Sequence, residues 1–167
     1  MSLLDSTETI DKNQAVIDFL LQCPQIQNSP LYFNFINAED NDKQIVTSSN
    51  DVYLNKPYID GSVLKRYIFT LLDFKSISES AIVTVAGYMN ENVEDLADVQ
   101  TIIDWVKEQN ELSNFPDFGE HCVIQRMEPT TNNPNLEGIN TEITPMLAMY
   151  SVSIEIDYID TSKMIWR

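Results

Sequence analysis

His121 and Cys122 stand side by side at the start of HCVIQRME, residues 121–128, a run that reads as a strand. An imidazole and a thiol are the partners of nucleophilic catalysis, where the base must reach the sulfur to take its proton. Successive residues of a strand point to opposite faces, so this spacing separates the pair instead of joining it. His121 is the sole histidine, and no serine or cysteine motif places a second nucleophile beside it. Carboxylate pairs such as Glu94-Asp95 and Asp157 with Asp160 could do acid–base work. In a chain with 26 acids such pairs arise by chance, and a solvated face accounts for them better. A calcium loop needs a glycine and a closing glutamate, which the run Asp40–Asp42 lacks. Four glycines in all cannot build a phosphate-cradling loop. The sequence therefore predicts a non-enzymatic protein with no catalytic, cofactor-binding or metal-binding residues.

The charge is the more informative number. The 26 acids face 10 bases, for a formal net of −16 over 167 residues. Residues 1–64 carry nine acids and three bases, residues 65–112 nine and four, and residues 113–167 eight and three. An excess spread this evenly makes the whole molecule acidic and leaves no charged tail to be disordered. Such a surface repels phosphate backbones, whose affinity for proteins comes from Lys and Arg displacing counterions. It repels anionic membranes for the same reason. Acidity also simply keeps a protein dispersed. Cys23 and Cys122 lie far apart with no CxxC, which suits free thiols and neither a disulfide framework nor a zinc site. The opening residues MSLLDSTETIDKNQ lack a basic start and a long apolar run, so no signal peptide is expected. No apolar stretch approaches the length needed to span a bilayer.

Several elements can be read from spacing. Residues 9–23 form a first helix, with Thr9 as cap and Ile10, Val16, Ile17, Leu20 and Leu21 on one face, ending at Pro24. LYFNFIN at 31–37 reads as a strand, and Gln44–Ser48 as its hairpin partner. Residues 64–74 form a long strand, with Tyr67, Phe69 and Leu71 on one face and Leu64, Ile68 and Leu72 on the other. Apolar on both faces, it must be covered twice, and partner subunits could provide one cover. Residues 81–88 read as a loop with some strand. A second helix covers 92–110, with Asn92 as cap, acids at its positive end, and Leu96, Val99, Ile103 and Val106 as its buried stripe.

Strand 121–128 follows, then a long polar loop across 129–145. The last strand alternates strictly, Tyr150, Val152, Ile154, Ile156 and Tyr158 against Ser151, Ser153, Glu155 and Asp157. Residues 1–8 and 161–167 are expected to be flexible or assembly-dependent ends. The fold class is α+β: a single domain ordered helix–three strands–helix–two strands, with a mostly antiparallel sheet and both helices on one face. Loops as long as 129–145 are usually functional or disordered. Asn135, Leu136 and Ile139 within it, and Met164, Ile165 and Trp166 in the tail, are the candidate contacts with other subunits.

With these elements in place, three segments resemble the tail terminator or tail-completion proteins of long-tailed bacteriophages. They are YIDGSVLKRYIFTLLDF at 58–74, LADVQTIIDWVKEQN at 96–110 and MYSVSIEIDYID at 149–160. Such proteins are often filed as minor capsid or tail-component proteins of a virion or prophage. The stretch 76–90 and the long loop before the last strand depart from that pattern. The resemblance implies a structural subunit that forms a ring, typically a hexamer, at the head-proximal end of the tail. Its partners would be itself, the tail tube protein and the head–tail connector proteins. It would be made in the host cytoplasm and end in the virion, and DNA would pass its acidic surface without binding. The alternative reading is an acidic regulatory module, such as a DNA-mimic inhibitor.

Overall fold

A computed structural model describes residues 3–27, 30–34, 43–47, 56–77, 85–142 and 146–165, with side chains in the two long helices described from Lys12 and Ala97 onward. Among the described residues, three helices and seven strands follow one another in the order α1 (Leu3–Leu20), α2 (Pro24–Gln27), β1 (Leu31–Phe33), β2 (Lys43–Thr47), β3 (Lys56–Pro57), β4 (Val63–Ile77), α3 (Val85–Glu111), β5 (Cys122–Pro129), β6 (Asn135–Asn140) and β7 (Met146–Asp160). The α+β class holds, with a mostly antiparallel sheet.

The frame of that sheet is one pair of 15-residue strands. β4 and β7 run antiparallel along their full length, from Val63 opposite Asp160 to Ile77 opposite Met146. Two short strands line the far side of each: β2 and β3 on β4, β5 and β6 on β7. Residues opposite one another share a face. Tyr67, Phe69 and Leu71 of β4 thus stand with Ile156, Ile154 and Val152 of β7 on one face, and all are buried. The expected alternation of the last strand is confirmed: Tyr150, Val152, Ile154, Ile156 and Tyr158 enter the core.

Both long helices cover that inner face. On α3 the buried stripe is Val99, Ile102, Ile103 and Val106. Burying each such side chain contributes about 1.5–3 kcal/mol. On α1 the buried residues are Val16, Phe19 and Leu20, while Leu21 is 42% exposed and Ile17 only half-buried. The sequence stripe was therefore rotated: Phe19, not Leu21, points inward and stacks at 5.1 Å on Trp105 of α3. Tyr67 donates a hydrogen bond to Asn13, and the Lys12 ammonium sits 5.1 Å from the Tyr158 ring, so α1 is tied to both central strands.

Several expectations are corrected. β1 and β2 are parallel, with Leu31 opposite Lys43, and do not form a hairpin. Asn34, at φ 51°, turns the chain off β1 while its amide donates to Ile45, a conformation asparagine tolerates better than most residues. Residues 35–37 of the expected strand lie outside the described residues. The helix expected from 92 begins at Val85, so Asn92 lies inside it and the strand-like character of 85–88 is overridden. Residues 81–84 lie outside the described residues. Local β-branching opposes a helix by only a few tenths of a kcal/mol per residue, which tertiary packing outweighs.

Likewise α1 starts at Leu3, placing Thr9 within the helix and giving residues 3–8 regular structure. The expected loop 129–145 contains β6, paired to β7 from Asn135 opposite Ser151 to Asn140 opposite Leu147. α3 ends at Glu111 because Ser113 adopts a left-handed φ of 56° and the amides of Ser113 and Asn114 return to the helix carbonyls of Asn110 and Gln109.

Candidate assembly surface

The face of the sheet away from the helices carries a charged network built by cross-strand register. Arg66 of β4 and Arg126 of β5 both lie opposite Asp157 of β7. Arg66 holds Asp157 with two donors, Nε to Oδ1 at 2.6 Å and a terminal nitrogen to Oδ2 at 3.1 Å. Arg126 reaches Oδ2 at 3.0 Å from the other side. Arg66 also pairs with Glu155 at 3.0 Å, and Arg126 with Glu128 at 3.0 Å. Burial raises the Asp157 carboxyl, but the two guanidinium hydrogen bonds outweigh it and hold the group below its ordinary range. The Asp157 hydrogen bond in turn raises Arg66. Around this network Leu64, Ile68, Leu72 and Phe74 are only half-buried, so the second cover expected for β4 is partial.

Three edge strands of the sheet, β5, β6 and β3, are blunted against further strands. β5 carries a bulge between Ile124 and Arg126 and ends in Pro129, and the Met127 amide is taken by Asn110 Oδ1 of α3 at 2.8 Å. β6 carries its own bulge between Leu136 and Gly138, and β3 contains Pro57. Bulges, prolines and covered amides are the devices that stop edge-to-edge pairing. Association through added strands is disfavoured at these three, which leaves side-chain surfaces there.

Those surfaces lie at the two ends of β7. At one end β6 brings Asn135, Leu136 and Ile139 beside Ser151, Tyr150 and Ala148; Leu136 is 46% exposed and Ile139 half-buried. At the other, the chain leaves β7 and bends over the turn Tyr58–Ser62. Thr161 donates to the His121 carbonyl at 2.8 Å and Ile165 to the Asp60 carbonyl at 2.6 Å. Met164 is half-buried and Ile165 is 71% exposed, while Trp166 lies outside the described residues. Thr161, Met164 and Ile165 thus have defined backbone partners in the stretch expected to be a flexible or assembly-dependent end. The same end presents Tyr58, Val123 and a fully exposed Ile59, three residues the sequence reading missed. An isoleucine inside a Pro57–Gly61 turn was the available signal. The candidate contacts therefore form two separate apolar groups, set apart by most of a strand of about 3.4 Å per residue.

Gly61 makes the tail contact possible. Its φ is +87°, and a Cβ there would meet the Lys163 carbonyl oxygen and the Ile165 side chain. Asp60 accepts from the Ser62 hydroxyl at 2.6 Å and the Ser62 amide at 2.9 Å, which lowers its carboxyl. Asp160, at the end of β7, pairs with Lys65 at 2.6 Å. Burial pushes Asp160 up, but the bonds from Lys65 and Ser162 outweigh it and bring the carboxyl to about 2.

Among the described residues, the contact that His121 makes through its ring is with a carboxylate. Its ring is exposed, 3.5 Å from Glu120, and Cys122 is half-buried on the next residue. Cys23 is buried, and burial raises its thiol. Among the described residues no group of three or more His, Cys, Asp or Glu could hold a metal ion. No described helix is long and apolar enough to cross a membrane. No protein-family model matches the chain, and no curated protein matches its sequence.

Proposed function

We propose that this chain is a structural subunit of a bacteriophage tail or neck, assembling head to tail into a closed ring at the head-proximal end of the tail. The observation that carries the reading is the separation of two apolar groups, exposed Leu136 beside half-buried Ile139 and exposed Ile59 with Ile165, to opposite ends of β7. Two different patches that meet each other make a heterologous contact, which closes into a ring when the rotation between neighbours allows and otherwise runs on as a filament. The blunted β3, β5 and β6 support association through these patches, since strand addition there is disfavoured. The resembling segments 58–74, 96–110 and 149–160 fall on β4 with its preceding turn, on α3 and on β7, the frame of the fold. The even acidity supports a lumen past which DNA moves, as few cations are left to displace counterions.

Native mass spectrometry, alone and with tail tubes, tests the proposal. The wild-type chain should form a closed ring of defined mass, hexameric on the resemblance. Leu136→Asp and Ile59→Asp should each yield monomers, and a mixture of the two should yield dimers, because one intact patch of each kind remains. A strictly monomeric protein at high concentration, inert toward tails, would overturn the reading. Competition with DNA for a basic enzyme would favour the regulatory alternative.

A further inference from the structure

Beside the two apolar ends of β7 stand exposed charges of opposite sign. The bases are spread evenly along the sequence, yet folding gathers Lys56, Lys65, Arg66, Arg126 and Lys163 around Asp157–Asp160. Lys65, Arg66 and Arg126 are engaged there with Asp160 and Asp157. Lys56 and Lys163 are exposed, and among the described residues neither ammonium is held by an ion pair or a hydrogen bond. They flank the exposed Ile59 and Ile165. Asp60, between them in space, is bound by Ser62, and Glu120 stands 3.5 Å from the His121 ring. At the other end, β6 and the turn after it carry Glu137 and Glu142, both exposed, beside Leu136 and Ile139. Glu137 accepts from the Ser151 hydroxyl, and the Glu142 carboxylate is held by no described residue. Lys75, opposite Ala148, lies at this end too, but it is buried against Asp73 and Asp98.

We propose that Lys56 and Lys163 of one copy meet Glu137 and Glu142 of the next, and that these four charges fix the contact as head to tail. The inference rests on the ring reading above and deepens it. Apolar patches alone do not choose a direction, because the hydrophobic effect is non-directional and Leu136 packs as well on a second Leu136 as on Ile59. The charges do choose. Two like ends brought together set lysines against lysines or glutamates against glutamates, whereas unlike ends set lysines against glutamates. An isologous pair stops at two copies, and a heterologous contact goes on to the next. On a molecule of net charge −16, copies repel one another over most of their surface. Lys56 and Lys163 therefore mark the place where an acidic neighbour is accepted. Exposed ion pairs add little affinity, so these direct an association that the apolar residues drive.

Sedimentation velocity with charge-reversed variants tests this. Lys56→Glu with Lys163→Glu, and separately Glu137→Lys with Glu142→Lys, should each weaken the contact about tenfold or more and yield monomers, since like charges then oppose it. An equal mixture of the two variants should regain the ring, because every junction between unlike copies again joins lysines to glutamates. A chain carrying all four reversals should regain it too. Glu142→Lys alone serves if losing the Ser151 bond of Glu137 disturbs β6. The wild-type ring should loosen between about 0.1 M and about 1 M salt, as the Debye length falls from about 10 Å to about 3 Å. A wild-type ring that both reversals leave intact would overturn the inference and spare the ring reading. The same holds for reversals that break the ring without rescue in the mixture or in the four-reversal chain. A wild type that never assembles overturns both.

Discussion

Lys43 and Asp73 face each other across β2 and β4 with Nζ 3.2 Å from Oδ1, each side chain only 2% exposed. Lys75 stands 3.9 Å from the other oxygen of Asp73 and 3.3 Å from Asp98 on α3. Asp73 Oδ2 accepts no hydrogen bond, and burial raises the carboxyl despite both lysines. This pair joins the first half of the sheet to its frame and is under strain from desolvation.

Removing one partner should cost more than removing both. Lys43→Met leaves the Asp73 carboxylate buried without its nearest countercharge and should destabilise by about 3–5 kcal/mol in urea unfolding at neutral pH. Lys43→Met with Asp73→Leu should recover most of that loss, since well-packed apolar replacements of buried pairs are often neutral. A double variant as unstable as Lys43→Met alone would show that the charges themselves are required.

Asp160 and Asp73 should pull the pH profile in opposite directions. The Asp160 carboxyl is depressed from 3.8 to about 2, so its stabilisation is complete above about pH 4 and is lost as pH falls toward 2. The stability gap between the wild type and Asp160→Asn should close over that window. Asp73 is raised, so its charge costs stability at neutral pH, and protonation relieves the cost as pH falls through its raised value. Urea unfolding at half-unit steps of pH from 2 to 7 separates the two.

Gly61→Ala should release the tail. A left-handed φ costs a residue with a side chain about 1–3 kcal/mol, and here the added methyl also strikes the Lys163 carbonyl. Faster proteolysis near residues 161–165 with the sheet's amide exchange unchanged is the expected outcome. Loss of protection throughout β4 and β7 would mean that the turn supports the whole frame.

Arg66 should matter more than Arg126. Its side chain is 20% exposed and binds Asp157 through two donors, whereas Arg126 is 40% exposed. Arg66→Gln should cost about 1.5–3 kcal/mol, the usual worth of hydrogen bonds to a charged group. Arg126→Gln should cost under about 1 kcal/mol, as exposed pairs do. An NMR titration should show the Asp157 carboxyl moving up toward its ordinary range in Arg66→Gln.

Much of the fold was legible from local spacing. The alternation through β7, the two faces of β4 and most of the α3 stripe are periodic signals, and burying one face leaves such segments a single orientation. The exposed Leu136 and Ile165 were legible too, as apolar residues in polar surroundings. Ile59 was obscured by the turn that holds it.

What the sequence determined by itself was composition and rhythm: an evenly acidic chain, without a motif for catalysis, whose segments have one apolar face. Tertiary structure alone decided which segments meet. It made β1 and β2 parallel, drew β6 out of a polar connection, and extended α3 back to Val85. It also set Lys43 against Asp73, 30 residues away, and Arg66 against Asp157, 91 residues away. The reason is physical. Periodicity records how a segment meets its own surroundings within a few residues, whereas pairing between distant segments depends on the free energy of the whole packed arrangement.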